Sequence, residues 1–89
     1  MPRLEFSDRF ATDLAAVTSS RVEEHVMRVL DCLESFGEFG SPQVPESLVR
    51  RFGPGIRKVA VRPFELLYTF YPDENVVRVE ALVHGKSVQ

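Results

Sequence analysis

The apolar positions change their period twice along this chain. Arg3-Leu-Glu-Phe6 alternates, which predicts a short first strand. Ser7-Asp8 then supplies an N-cap and a first-turn acid for a helix running to about Val17, with Phe10, Leu14 and Val17 at helical spacing. Thr18-Ser-Ser20 breaks it. A second helix opens at Ser20, which forms a capping-box pattern with Glu23, and Gly37 is its expected stop. Between them Val22, Val26, Val29, Leu30, Leu33 and Phe36 recur at i, i+4, i+7, i+8, i+11 and i+14, one apolar stripe. From Gly55 to His84 the period returns to two. β-Branched and aromatic residues fill that stretch, and Pro63 and Pro72-Asp-Glu-Asn75 divide it into three strands.

Gly37 to Gly55, with three prolines and four glycines, reads as loop, with room for one helical turn in Pro45–Phe52. The expected fold is therefore α+β: an N-terminal strand and a helical hairpin packed on one face of a small antiparallel β-sheet.

Strand parity then assigns faces. Val77, Val79, Ala81 and Val83 share one side of the last strand, which should lie against the helices with Val59 and Val61. The middle strand is apolar on both sides: Phe64, Leu66, Tyr68 and Phe70 on one, Leu67 and Tyr71 with Glu65 and Thr69 on the other. Such a strand is usually central and covered twice. The two helices can cover only one side. The other would expose Leu67, Tyr71 and Leu82 among Lys58, Arg62, Arg78 and His84, an apolar patch with a charged rim that suggests a partner surface. The competing reading is that the Gly37–Gly55 loop folds over it.

At 89 residues the chain is expected to be one domain, 1–89, with 44% hydrophobic and 27% charged residues, an ordinary globular composition. No apolar run approaches a membrane span, and no signal peptide is expected. A single cysteine, Cys32, cannot close an internal disulfide, which points to a reducing cytoplasm. The net charge of −2 argues against a generic nucleic-acid binder. Yet residues 1–49 hold nine acids and four bases (−5), and residues 50–89 hold seven bases and four acids (+3). Arg50, Arg51, Arg57, Lys58 and Arg62 form the densest cluster. It could focus a local positive potential, or simply protect a strand edge from aggregation.

The order strand, helical hairpin, three-stranded sheet resembles the RelE/ParE superfamily of bacterial toxins from type II toxin–antitoxin pairs. Matching features are Phe6-Ser-Asp-Arg-Phe10 opening the first helix and the stripe ending at Leu33–Gly37. Gly55-Ile-Arg-Lys58 is similar to the family's Gly-x-Arg-Lys strand start, and Phe64-Glu-Leu-Leu-Tyr68 to its Tyr-Arg-apolar-apolar-Tyr strand. Val83-His-Gly-Lys86 is similar to its closing apolar-His-Gly-basic stretch. The resemblance covers nearly the whole chain and implies a toxin neutralised by a cognate antitoxin. The antitoxin would bind through an amphipathic helix or an added strand. The RelE-like branch cuts messenger RNA on the ribosome, and the ParE-like branch inhibits DNA gyrase.

Metal-free RNA cleavage needs a base, phosphate-clamping cations and an acid. His84 suits the acid or base role, since histidine ordinarily titrates near about 6.5, and Arg57 and Lys58 match the basic strand start. Against cleavage, Glu65 stands where cutting members carry an arginine, and a carboxylate repels phosphate. The closing Val83-His-Gly-Lys86 looks more like the ParE-like branch. This favours gyrase or another protein target over the ribosome and mRNA, with an inactive interaction module of the same fold as a further alternative. Arg57, Lys58 and His84 are catalytic candidates only for a ribonuclease. Arg62, Leu67, Arg78 and Leu82 are partner-binding candidates. No cofactor and no metal site is expected, since His25 and Cys32 on helix two lack further ligands. Glu65 and Glu80 are better explained by cross-strand ion pairs than as paired acids, and Tyr68 by the core. Gly53-Pro-Gly55 lacks the strand-to-helix setting of a nucleotide loop. The sequence leaves oligomeric state open, a homodimer included.

Overall fold

Each predicted element forms, and one loop segment adds another. The computed structural model describes residues 1–88. In order they are β1 (Arg3–Phe6), α1 (Asp8–Ala15), α2 (Ser20–Ser35), α3 (Glu46–Phe52), β2 (Ile56–Val61), β3 (Phe64–Tyr71), β4 (Val76–His84) and a closing 3-10 turn, Gly85–Val88. The sheet order is β1-β4-β3-β2. The three C-terminal strands are antiparallel as expected, but β1 joins β4 in parallel, so the four-stranded sheet is mixed.

Local chemistry explains most boundaries. Ser7 caps α1 by accepting from the Phe10 amide at 2.9 Å. The cap of α2 sits one residue earlier than the capping box implied. Ser19, with extended backbone, accepts from the Val22 amide at 3.2 Å, which leaves Ser20 inside the first turn. Gly37 does not end α2 through a left-handed turn either; the helix closes on Phe36, whose backbone is extended. Gly37 is needed for a close approach instead, because a Cβ there would lie 2.5 Å from the Phe70 ring. Gly40 is similar: its Cβ would meet the Tyr68 ring at 2.7 Å and the Lys58 carbonyl at 2.9 Å.

A β-bulge decides which side chains face which way in β4. Tyr68 pairs with Val79 while Leu67 pairs with Ala81, so Glu80 is an extra residue. Beyond it the parity of β4 inverts. Val77 and Val79 face the helices as expected, but Leu82 joins them, and Ala81 and Val83 turn to the opposite side. That corrects the inward assignment of Ala81 and Val83. α1 satisfies the backbone groups that the bulge frees. Ser7 Oγ donates to the Glu80 carbonyl at 2.6 Å, and Asp13 Oδ2 accepts from the Leu82 amide at 2.9 Å.

The sheet therefore has two apolar sides. Phe10 of α1 and Val22, Val26, Val29, Leu30 and Leu33 of α2 pack on Val61, Leu66, Tyr68, Val77, Val79 and Leu82. Across the sheet, Leu48 of α3 packs on Ile56, Leu67, Ala81 and Val83, with Val44, Val49 and Phe52 alongside.

Candidate functional site

The partner patch expected on the second face is not open. Leu67 is 0% and Leu82 4% exposed. Leu67 lies under α3, the Gly37–Gly55 segment having folded over this side. Leu82 lies in the helix-side core because the bulge reversed it. Neither can offer an apolar contact to a partner. Of the expected patch, Tyr71 remains 40% exposed.

The predicted cations are scattered by the same topology. Arg57 opposes Tyr68 and shares its helix-side face. Its guanidinium donates to the Gly40 carbonyl at 2.7 Å and the Glu38 carbonyl at 3.4 Å. The Tyr68 hydroxyl donates to the Gly37 carbonyl at 2.9 Å and accepts from the Gly40 amide at 2.7 Å. Arg57 and Tyr68 thus latch the turn after α2. Burial pushes the Tyr68 hydroxyl above its ordinary titration range, partly opposed by the Gly40 hydrogen bond and the Arg57 charge. On either side of Gly37 and Glu38 the latched turn holds Phe36 and Phe39 outward, 68% and 50% exposed.

Lys58 opposes Leu67 and so projects on the α3 side, opposite Arg57. Arg78 opposes Thr69 on that same side and is paired with Glu80 at 3.3 Å. Arg50 pairs with Glu46 within α3, and Arg51 lies over the Phe52 ring at 5.4 Å. His84 pairs with Phe64 at the far end of the sheet. Along the strands, the row containing Arg57 and Tyr68 is four residues from the row of Phe64 and His84, roughly 13 Å at about 3.3 Å per residue. Arg57, Lys58 and His84 therefore do not converge on one phosphate.

What does gather at that end is a different set. Arg21, from the first turn of α2, meets Arg62 and Pro63 of the β2–β3 turn and Phe64 and Glu65 at the start of β3, with His84, Gly85 and Lys86, around an open basin of ≈ 570 Å³. His84 stands edge-on to Phe64, ring centres 5.9 Å apart, and its Nδ1 accepts from the Lys86 amide at 3.3 Å. That leaves Nε2 as the nitrogen free to face a ligand. Of the sequence candidates, only Arg62 and His84 share this basin. Arg21 was missed, since it sits far from the strand ends in sequence, on a helix with no motif around it. Among the described residues, Glu65 is the one carboxylate on the rim and tempers the field that three permanent cations create.

A second concavity is wholly apolar: Phe6, Phe10, Ala11, Leu14, Met27 and Leu30 line a groove of ≈ 340 Å³ between β1, α1 and α2. Among the described residues no group of three or more His, Cys, Asp or Glu side chains could hold a metal ion. No helix among the described residues is long and apolar enough to cross a membrane.

No protein-family model and no curated protein matches the sequence. Solved structures do match the fold. The isolated E. coli RelE toxin superposes with a TM-score of 0.71 at 18% identity, covering 94% of this chain and 84% of RelE. A chain of the intact E. coli RelBE toxin–antitoxin complex also gives 0.71, at 20% identity, over 94% of this chain and 96% of that one. An E. coli RelE mutant in complex with an antitoxin RelBc peptide gives 0.69 at 18% identity, over 99% and 95%. The chain has the RelE-type toxin fold.

Proposed function

We propose that this chain is the toxin of a type II toxin–antitoxin pair. It acts in the cytoplasm without a cofactor, is neutralised by a cognate antitoxin, and inhibits DNA gyrase or another protein by binding it. One observation carries this reading: a toxin fold spans 94% of the chain, while its candidate cleavage groups stand on different faces and ends of the sheet. The solved RelBE complex supports an antitoxin partner. Glu65, placed where cleaving relatives carry an arginine, supports a target other than RNA. Such a toxin would use rigid surface groups, and the latched Phe36 and Phe39 fit that need, because ordering them on binding costs little entropy.

Ribosome-dependent mRNA cleavage is the second reading, and the basin of Arg21, Arg62, His84 and Lys86 is the observation that favours it. Expression of the chain alone, and beside its genomic neighbour, tests the first step. Growth arrest relieved by the neighbour is expected; unimpaired growth would leave an inactive interaction module. Gyrase supercoiling in vitro, set against mRNA cleavage on ribosomes, then separates the branches. Inhibited supercoiling is expected. Cutting that is lost in both His84→Ala and Arg62→Ala, the two sequence candidates that share the basin, with folding retained, would establish the ribonuclease reading and end the gyrase one.

A further inference from the structure

The two edges of the sheet differ in their fitness for pairing with another chain. The β2 edge is partly closed, because Ser41 and Lys58 exchange both backbone hydrogen bonds at 2.9 and 3.0 Å. It also carries Arg57, Lys58 and Arg62, so two copies of it would meet with like charges opposed. The β1 edge is open: among the described residues β1 pairs only with β4. Arg3 and Ser7 direct their amides to the Asn75 and Val79 carbonyls at 2.9 and 3.0 Å. Amide direction alternates along a strand, so Leu4 and Phe6 aim theirs outward.

We propose that β1 pairs antiparallel with β1 of a second copy about a two-fold axis at Leu4, joining the two four-stranded sheets into one. The charges select this register. With the axis at Leu4, each Arg3 lies opposite a Glu5, and the outward groups of Leu4 and Phe6 meet those of Leu4 and Pro2. With the axis at Glu5 or at Arg3, registers that also pair outward groups, two like charges would face each other, and an axis at Phe6 would bring neither Arg3 nor Glu5 opposite the other. An axis between two residues would set outward groups against inward ones and make no ladder. Arg3 and Glu5 already lie 2.9 Å apart within one chain, so the assembled edge would hold an alternating row of four charges.

A strand pair this short is marginal by itself. Apolar surface beside the edge supplies the rest. Phe6 is 49% exposed and stacks on Phe10 at 5.8 Å; Met27, 46% exposed, lines the same groove with Ala11 and Leu14. A two-fold axis normal to the sheet keeps both sets of helices on one side, so the two grooves close against each other. This inference does not depend on the toxin reading.

Sedimentation equilibrium over a concentration series tests it, with circular dichroism to confirm folding. The wild type is expected to approach twice its 10.1 kDa mass. Arg3→Glu and Glu5→Arg should each weaken self-association by about tenfold or more, since each turns two attractive oppositions into repulsive ones. An equimolar mixture of the two variants should recover the dimer, because one chain then brings acids at both positions against bases at both positions of the other. A wild type that stays monomeric overturns the proposal. So does a dimer indifferent to both substitutions, or a mixture that fails to recover.

Discussion

Both faces of the sheet carry an apolar cluster, but the two are covered by very different means. One lies under α1 and the sixteen-residue α2, whose stripe repeats through four turns. The other lies under α3, seven residues carried on a Pro- and Gly-rich segment. The first cover declares itself by periodicity. The second shows little period over so short a span, yet it seals Leu67 and Ile56 to 0% and 2% exposure. A short amphipathic turn is enough to convert an apparent docking patch into core.

The strongest way to break this comparison is to delete a side chain on each face. Leu66→Ala on the helix side and Leu67→Ala under α3 should each cost about 2–5 kcal/mol, measured by denaturant unfolding. If α3 only rests on the surface, Leu67→Ala will cost well under half of its neighbour. Next in size is Tyr68→Phe, expected to lose about 1–3 kcal/mol because the Gly40 amide and Gly37 carbonyl lose their buried partner. Its pH signature is distinct. Burial raises the hydroxyl's pKa in the fold, so the neutral form is the one the fold favours. That contribution is complete below the unfolded value of about 10 and disappears as pH rises through the folded one. The wild type should therefore lose stability above about pH 10, and Tyr68→Phe should flatten that loss.

Asp13→Ala should cost about 1–3 kcal/mol, because the Leu82 amide of the bulge is left without its carboxylate acceptor. Faster exchange of the Leu82 amide by NMR is the specific readout, and Asp13→Asn, which keeps an acceptor, should cost less. Smaller still is Ser19→Ala, about 1 kcal/mol for the lost α2 cap, against a few tenths at most for Ser20→Ala. The reverse order would restore Ser20 as the cap. On the α3 side the smallest effect is Arg50→Ala, under about 0.5 kcal/mol, since its i,i+4 pair with Glu46 is solvent-exposed.

Much of the candidate site was legible as residues but not as places. Arg62 and His84 were identified from the strand ends and do meet at the basin rim. Arg57 was recognised as a strand-start cation, yet its guanidinium is spent on two carbonyls of the Gly37–Gly40 turn. A guanidinium bonded to distant backbone leaves no local trace, since its acceptors lie seventeen and nineteen positions away. Arg21 escaped notice for the same reason: only the approach of the α2 N-terminus to the β2–β3 turn makes it part of anything.

The chain's local patterns by themselves determined the α2 stripe, the three C-terminal strands, the Ser7 cap and the turn breakers. Helical and strand periods are short-range properties that neighbouring residues fix between them. Only the tertiary structure decided the parity of β4 beyond Glu80, the parallel docking of β1 and the closing of the second face by α3. A bulge depends on how two strands far apart in sequence register against each other. One extra residue there reverses every side chain that follows, and so moved Leu82 into the core and carried His84 to the helix side of the sheet.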